Sequence, residues 1–118
     1  MKLITLKKRR DFILSNKYGR KTHNKNFILQ KYCNPNISDQ GPMFGFTATK
    51  RIGNAVKRNR AKRRMRALIS RLLKEDNILF KEEYSYVLIA KQSILKASFF
   101  EMHNQLKQYL SRLWWKDF

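Results

Sequence analysis

The stretch from Asn54 to Lys74 most restricts how this chain folds, because it lacks proline and glycine and its apolar residues recur at helical spacing. At 100° per residue, five apolar side chains fall in one sector of about 100°, and basic side chains occupy the rest. Asn54 is a favourable N-cap residue. The pattern predicts one long helix that packs by its apolar sector and presents cations outside. The five apolar residues are Ala61, Met65, Leu68, Ile69 and Leu72.

The positive charge of the chain is concentrated in its N-terminal half. There are 27 Lys and Arg against 8 Asp and Glu, a formal net charge of +19. Residues 1–66 hold 19 of these basic residues and two acids, which is 19 − 2 = +17. A surface made for solubility mixes both signs, whereas one-sided loading is typical of a phosphate-binding footprint. A nucleic-acid partner is therefore predicted.

Arginine dominates the basic side of the predicted helix. Guanidinium groups bind phosphate oxygens in pairs and stack on bases, which favours structured RNA as the partner. A solvated helix face would mix Glu with Lys, but this stretch has no acid. The arginines concerned are Arg58, Arg60, Arg63, Arg64 and Arg66.

Length and composition predict one folded domain over residues 1–118. Hydrophobic residues make up 42% and aromatic residues 13%, which is too much for a disordered basic tail. No apolar run approaches the roughly 18 residues of a membrane span, and the basic run at 7–10 interrupts any secretory signal core. We therefore expect a cytoplasmic protein without a membrane partner. Cys33 is the only cysteine, which argues against a disulfide or a cysteine zinc site.

The segments before the long helix predict a short helix and several strands. A helix is expected around residues 8–17, ended by Gly19, followed by a short extended piece at 20–24. Residues 27–33 are rich in strand formers and end at Asn34-Pro35-Asn36. Residues 43–49 alternate in polarity, and we expect them to pair back antiparallel on 27–33 as a hairpin.

After the long helix, residues 84–91 predict a central strand buried on both faces. A strand, a crossover helix and a second strand favour parallel pairing of 43–49 with 84–91. A last helix is expected from about Leu95, and the whole is an α+β sandwich of helices against a small sheet. The predicted core face of the last helix comprises Leu95, Phe99, Met102, Leu106, Leu110, Leu113 and Trp114, with Tyr109 and Trp115 partly exposed.

The sequence contains no recognisable catalytic motif. His23 and His103 are far apart, and there is no glycine-rich phosphate loop, paired carboxylate or HExxH-like spacing. Two functional classes remain open for a basic protein that binds nucleic acid. One is a ribosomal or DNA-binding protein that uses the basic helix as a phosphate clamp. The other is an enzyme that cuts RNA by itself with His23 or His103.

The stretch from Phe44 to Arg66, centred on Arg58-Asn59-Arg60, resembles the signature of the bacterial ribonuclease P protein subunit. Residues 6–12 resemble the first helix of that family, Gly19-Arg20 its turn, and residues 106–114 its closing helix. The resemblance implies a single-domain α-β-β-β-α-β-α fold with a small mixed sheet and a left-handed crossover at the Arg-rich helix.

The resemblance also implies a function. The catalytic centre and its magnesium ions are expected on the ribonuclease P RNA, which cuts the 5′ leader from precursor tRNA. No catalytic residue is expected on this chain. The protein is expected to bind beside the RNA core through the Arg-rich helix and to receive the single-stranded leader in a cleft. It would aid substrate binding and metal affinity, with no obligate protein partner.

Site residues follow from the motif positions that match. Phe12 and Phe27 match aromatic residues of the leader cleft. Asn16 and Gln30 stand where the family often has further aromatics, so stacking on the leader is expected to be weaker, or shifted to residues such as Tyr18 or Tyr32. The residues matched to RNA contact are Lys50, Arg51, Asn54, Arg58, Asn59, Arg60, Lys62, Arg63 and Arg66.

Overall fold

The computed structural model describes residues 3–37, 40–75 and 80–116, with side chains of the last helix described as far as Ser111. The element order is α-β-β-β-α-β-α, as predicted. A short 3₁₀ turn precedes the long helix and another precedes the last helix. We call them the first turn (Lys50–Ile52) and the second turn (Gln92–Leu95). The elements are α1 (Arg9–Tyr18), β1 (Arg20–His23), β2 (Phe27–Cys33), β3 (Met43–Thr47), α2 (Ala55–Glu75), β4 (Tyr84–Ala90) and α3 (Phe99–Lys116).

The four strands form one mixed sheet in the order β1-β2-β4-β3. β4 lies between β2 and β3, parallel to β3 and antiparallel to β2, so its predicted central position and its parallel pairing are confirmed. The predicted hairpin of β2 with β3 is wrong. β4 lies at the centre of the sheet because it is apolar on both faces. β2 instead forms a hairpin with β1, and in its tight turn the Asn24 N–H donates to the Phe27 carbonyl at 2.9 Å.

The main core lies between one face of the sheet and the helices α2 and α3. All five apolar residues predicted for the inner sector of α2 are fully buried. Phe44, Phe80 and Tyr86 form an aromatic cluster at the sheet, with ring centroids 5.0–5.6 Å apart. Burial of this apolar surface is the main stabilising contribution to the fold.

The last helix begins later than the sequence predicts. It starts at Phe99, because Ser98 caps it by accepting the Glu101 N–H at 3.3 Å, and Leu95 belongs to the second turn. Met102, Leu106 and Leu110 are buried as expected. The predictions for Leu113, Trp114 and Trp115 concern side chains outside the described part of the chain.

α1 covers part of the opposite face of the sheet, where Phe12 packs against a small apolar cluster of Leu6, Ile37 and Val87 beside several buried hydrogen bonds. Ser15 Oγ donates to Gln30 Oε1 at 2.9 Å, and Asn34 Nδ2 donates to Asp11 Oδ1 at 3.1 Å. All four of these residues are buried.

No described helix has the length and apolar character needed to cross a membrane.

Candidate nucleic-acid interface

The outer face of α2 carries a dense set of cations. Nine of the 17 residues from Lys50 to Arg66 are Lys or Arg, and no acid occurs between residues 40 and 74. Arg60 and Arg63 are exposed and Arg58 is half-buried. Within the described part of the chain, none of these three has a carboxylate within 4.0 Å. Because like charges repel, this face favours a polyanion.

The other matched residues lie on the first turn and on α2. Lys50 and Arg51 are exposed on the first turn, which leads from β3 into α2. Lys62 is half-buried, and Asn59 and Arg66 are exposed, with the Arg66 guanidinium 5.6 Å from the centroid of the Phe46 ring. The matched cations are therefore distributed over the first turn and several sides of α2.

Asn54 has a structural role in this surface. Its Oδ1 accepts the Lys57 N–H at 3.0 Å, so it is the N-cap of α2, as the sequence predicts. Gly53 before it has φ 135°, a conformation that favours glycine, and a Cβ there would lie 2.8 Å from the Lys57 side chain. The first turn therefore sets the direction in which α2 leaves the sheet.

Arg64 does not belong with the outward-facing arginines. Its guanidinium donates to the Leu95 carbonyl at 3.0 Å and to the Ala97 carbonyl, which lie at and just after the end of the second turn. Arg64 therefore ties α2 to the start of α3. Nothing in the sequence distinguishes it from its neighbours, because the acceptors are backbone atoms 31 and 33 residues away.

A groove lies on the face of the sheet that α1 leaves uncovered. Under α1, strand register aligns Gly45, Val87 and Gln30 across the sheet. Two residues further along each strand, side chains of the next row point to the same face, and this row is not covered by α1. This row consists of Thr47, Ile89, Ile28 and His23, and the last three line the groove.

The groove has a volume of about 800 Å³. Its apolar floor includes Ile28 and Ile89, and its rim carries Lys50, Arg51 and Lys91 at the ends of β3 and β4. An apolar floor with a cationic rim suits a nucleotide strand whose bases lie down and whose phosphates stay at the edge. Of these residues, the motif match had identified only Lys50 and Arg51, because the floor is assembled from three different strands.

Phe12 and Phe27 lie on opposite faces of the sheet. Phe12 is half-buried on the α1 face, where its ring covers Gly45 so closely that a Cβ there would lie 2.5 Å from Phe12 Cε1. Phe27 is 2% exposed and belongs to the main core, on the side of α2 and α3. The expectation that both line one cleft is therefore wrong, because side chains on successive strand positions alternate and Phe27 is out of phase with the floor residue Ile28.

The two positions that depart from the family's aromatic pattern contact each other. Gln30 is 2% exposed and its Nε2 donates to Asn16 Oδ1 at 3.3 Å, while its Oε1 accepts from Ser15. An amide network thus occupies the place beside the groove where stacking rings were expected. Of the suggested substitutes, Tyr18 is 61% exposed and lies beside Lys17, and Tyr32 is half-buried.

The two histidines are widely separated in the fold. His23 is exposed at the edge of the groove, whereas His103 is buried between α2 and α3, with Nε2 2.7 Å from Glu75 Oε2. In residues 3–37, 40–75 and 80–116, no three His, Cys, Asp or Glu side chains are placed to hold a metal ion.

Comparison with known proteins agrees with this architecture. The Ribonuclease P family profile matches residues 1–114. The chain belongs to the ribonuclease P protein family. Over 107 residues it is 34% identical to the ribonuclease P protein component of Erythrobacter litoralis, covering 91% of this chain and 83% of the relative. Over 109 residues it is also 34% identical to that of Nitratiruptor sp., covering 92% and 91%.

Solved ribonuclease P proteins share the fold. The Staphylococcus aureus protein superposes with a TM-score of 0.71 at 27% identity, covering 95% of this chain and 96% of that one. The Thermotoga maritima protein gives a TM-score of 0.69 at 22% identity, covering 92% and 96%, which supports the fold alone. Membership of the family implies that this chain takes part in the tRNA-processing ribonuclease and has an RNA partner.

Proposed function

We propose that this ribonuclease P protein binds the ribonuclease P RNA by the outer face of α2 and the single-stranded 5′ leader of precursor tRNA in the groove. The observation that carries this proposal is the uncompensated set of exposed arginines, Arg60 and Arg63 foremost, beside an open groove with a cationic rim. The two surfaces meet at the first turn. One protein can therefore contact both RNAs at once and position the leader against the catalytic RNA.

The chemistry of cleavage is assigned to the RNA in this proposal. His103 is buried, is held by Glu75 Oε2 at 2.7 Å from its Nε2 and does not line the groove. Within the described residues, no three His, Cys, Asp or Glu side chains are placed to hold a metal ion. Magnesium is proposed to be bound mainly by the partner RNA. The protein, acting in the cytoplasm, assists endonucleolytic 5′ maturation by charge and position.

The protein is expected to lower the magnesium concentration needed for cleavage. Residues 1–66 carry a net charge of +17, and these cations can replace counterions that otherwise screen repulsion between the two RNAs. The test is cleavage of precursor tRNA by ribonuclease P RNA across a magnesium titration, with and without the protein. Its benefit is expected to shrink at high magnesium or high monovalent salt.

Three results would contradict the proposal. An unchanged magnesium requirement in the presence of the protein would remove its supporting role. Cleavage at the mature 5′ end by the protein without RNA would place catalysis on this chain and revive the histidine-based alternative. A protein that bound RNA or DNA of any kind equally well, with no effect on cleavage, would be a general phosphate clamp.

A further inference from the structure

A second cavity, of about 490 Å³, lies on the other side of Ile52 and Gln92 from the groove. It opens between the first turns of α2 and the second turn. Its walls carry three cations from two different elements, and its lining includes no acid. The lining residues are Ile52, Lys57, Arg60, Gln92, Ser93, Leu95 and Lys96.

Hydrogen bonds hold the second turn, which forms one wall of this cavity, in a fixed position. Ser93 Oγ lies 2.9 Å from both the Lys25 carbonyl oxygen and Asn26 Oδ1 in the turn between β1 and β2. The Lys91 N–H donates to the Asn26 carbonyl at 2.9 Å. At the other end of this wall, Arg64 donates to the Leu95 carbonyl. The cavity therefore exists before any partner binds.

The opposite wall is equally constrained. The N-cap Asn54 holds the first residues of α2, and the stem of Lys57 lies against Gly53, where a Cβ would come within 2.8 Å of it. Lys57 and Arg60 lie three residues apart in α2, so they share one side of the helix. Lys96, directly after the second turn, is the third cation of the lining.

We propose that this cavity holds one unpaired nucleotide of the ribonuclease P RNA. The three cations contact its phosphate, the base lies against Ile52 and Leu95, and the Gln92 amide faces the base edge. A phosphate backbone crossing a flat surface would need only the cations. A preformed concave site with an apolar floor and one amide suits a base as well. This inference rests on the proposed binding of that RNA by α2.

The cavity can be tested without precursor tRNA, so that the leader groove takes no part. Three variants are compared with wild type for affinity and salt dependence of binding to ribonuclease P RNA. Lys96→Ala removes a cavity cation, Gln92→Trp fills the cavity from an exposed position, and Lys74→Ala removes an exposed lysine at the far end of α2 as the matched control. Chemical probing of unpaired nucleotides in the RNA is run in parallel.

Lys96→Ala is expected to weaken binding about tenfold, as for one lost hydrogen bond to a charged group, and Lys74→Ala by less than about twofold. Gln92→Trp is expected to weaken binding about tenfold with an unchanged salt slope, because no charge is removed. It should also abolish the protection of a single unpaired nucleotide and leave the rest of the footprint intact. Gln92→Ala, which cannot block the cavity by bulk, should keep that protection.

Wild-type affinity and an unaltered footprint for Gln92→Trp would overturn the cavity proposal. If the Arg58→Ala, Arg60→Ala, Arg63→Ala triple variant then still lost RNA binding, the proposed function would stand without it. If the triple variant bound the RNA as tightly as wild type, the proposed role of α2 itself would be wrong. The two failures are therefore distinguishable in one set of titrations.

Discussion

The two faces of the sheet are covered in different ways. On the α2 face, the residues that stabilise the fold differ from those proposed to bind RNA, whereas on the α1 face the two sets lie together. On the face toward α2 and α3 the contacts are apolar, and the cations of α2 point away from them. On the face toward α1, a small apolar cluster with Phe12 packed against it adjoins buried hydrogen bonds of Gln30, and the same face carries the groove. Substitutions should therefore separate the two properties on the α2 face and couple them on the α1 face.

The largest effect is expected for Phe27→Ala on the α2 face. The ring is fully buried, so its removal should lower the free energy of unfolding by about 3–5 kcal/mol. Urea denaturation measures this loss. Below the unfolding transition, the ratio of affinities for precursor and mature tRNA should equal that of wild type. A changed ratio would show that the α2 face also affects leader binding.

The next largest effect concerns the arginines of α2 that do not pack on the sheet. Replacing Arg58, Arg60 and Arg63 by Ala should weaken binding to ribonuclease P RNA by more than about a hundredfold, since each of the three loses a charge-assisted contact. The slope of log affinity against log salt should fall by roughly 0.7 for each contact. The thermal midpoint should be unchanged or slightly higher, because repulsion within α2 is relieved. An unchanged salt slope would remove these residues from the interface.

Phe12 tests the coupling expected on the α1 face. Phe12→Ala should lower the free energy of unfolding by about 1–3 kcal/mol, because the half-buried ring covers Gly45. It should also weaken binding of precursor tRNA more than of mature tRNA. Phe12→Leu keeps most apolar contacts but lacks a π face, so it should restore stability and still lose the stacking contribution of roughly 1–3 kcal/mol per base. Full recovery of leader affinity in Phe12→Leu would assign Phe12 to packing alone.

The smallest effect is expected at the junction of α2 and α3, where the charges are compensated. The Arg71 hydrogen bond, together with His103 and Lys107, lowers the pKa of the exposed Glu75 below its ordinary 4.5. A carboxyl with a lowered folded-state pKa stabilises the fold above its unfolded-state pKa, and this contribution is lost as the pH falls. Glu75→Gln should therefore be slightly less stable than wild type at pH 7, and the difference should be smaller at pH 3. Urea midpoints at both pH values measure it, and a difference that persists in acid would point to packing.

The long helix and the general class of partner were readable from the chain. The apolar sector of α2 and its Asn54 cap depend only on neighbouring residues, so periodicity and capping chemistry predicted them correctly. The dense arginines and the absence of acids likewise follow from composition. The parallel pairing of β3 with β4 followed from the length of the connection between them.

Tertiary structure alone decided which residues share a surface. β4 displaced the expected β2–β3 hairpin, because long-range strand pairing depends on which strand best fills the centre of the sheet. Phe27 lies in the core because the face to which a strand residue points depends on how the strand packs in the sheet. Arg64 binds backbone carbonyls because the second turn, far away in the chain, lies beside it in the fold. Both cavities are likewise built from elements far apart in the chain. Interactions between neighbouring residues determined where the helices form. Contacts between residues far apart in the chain determined which side chains form the groove and the cavity.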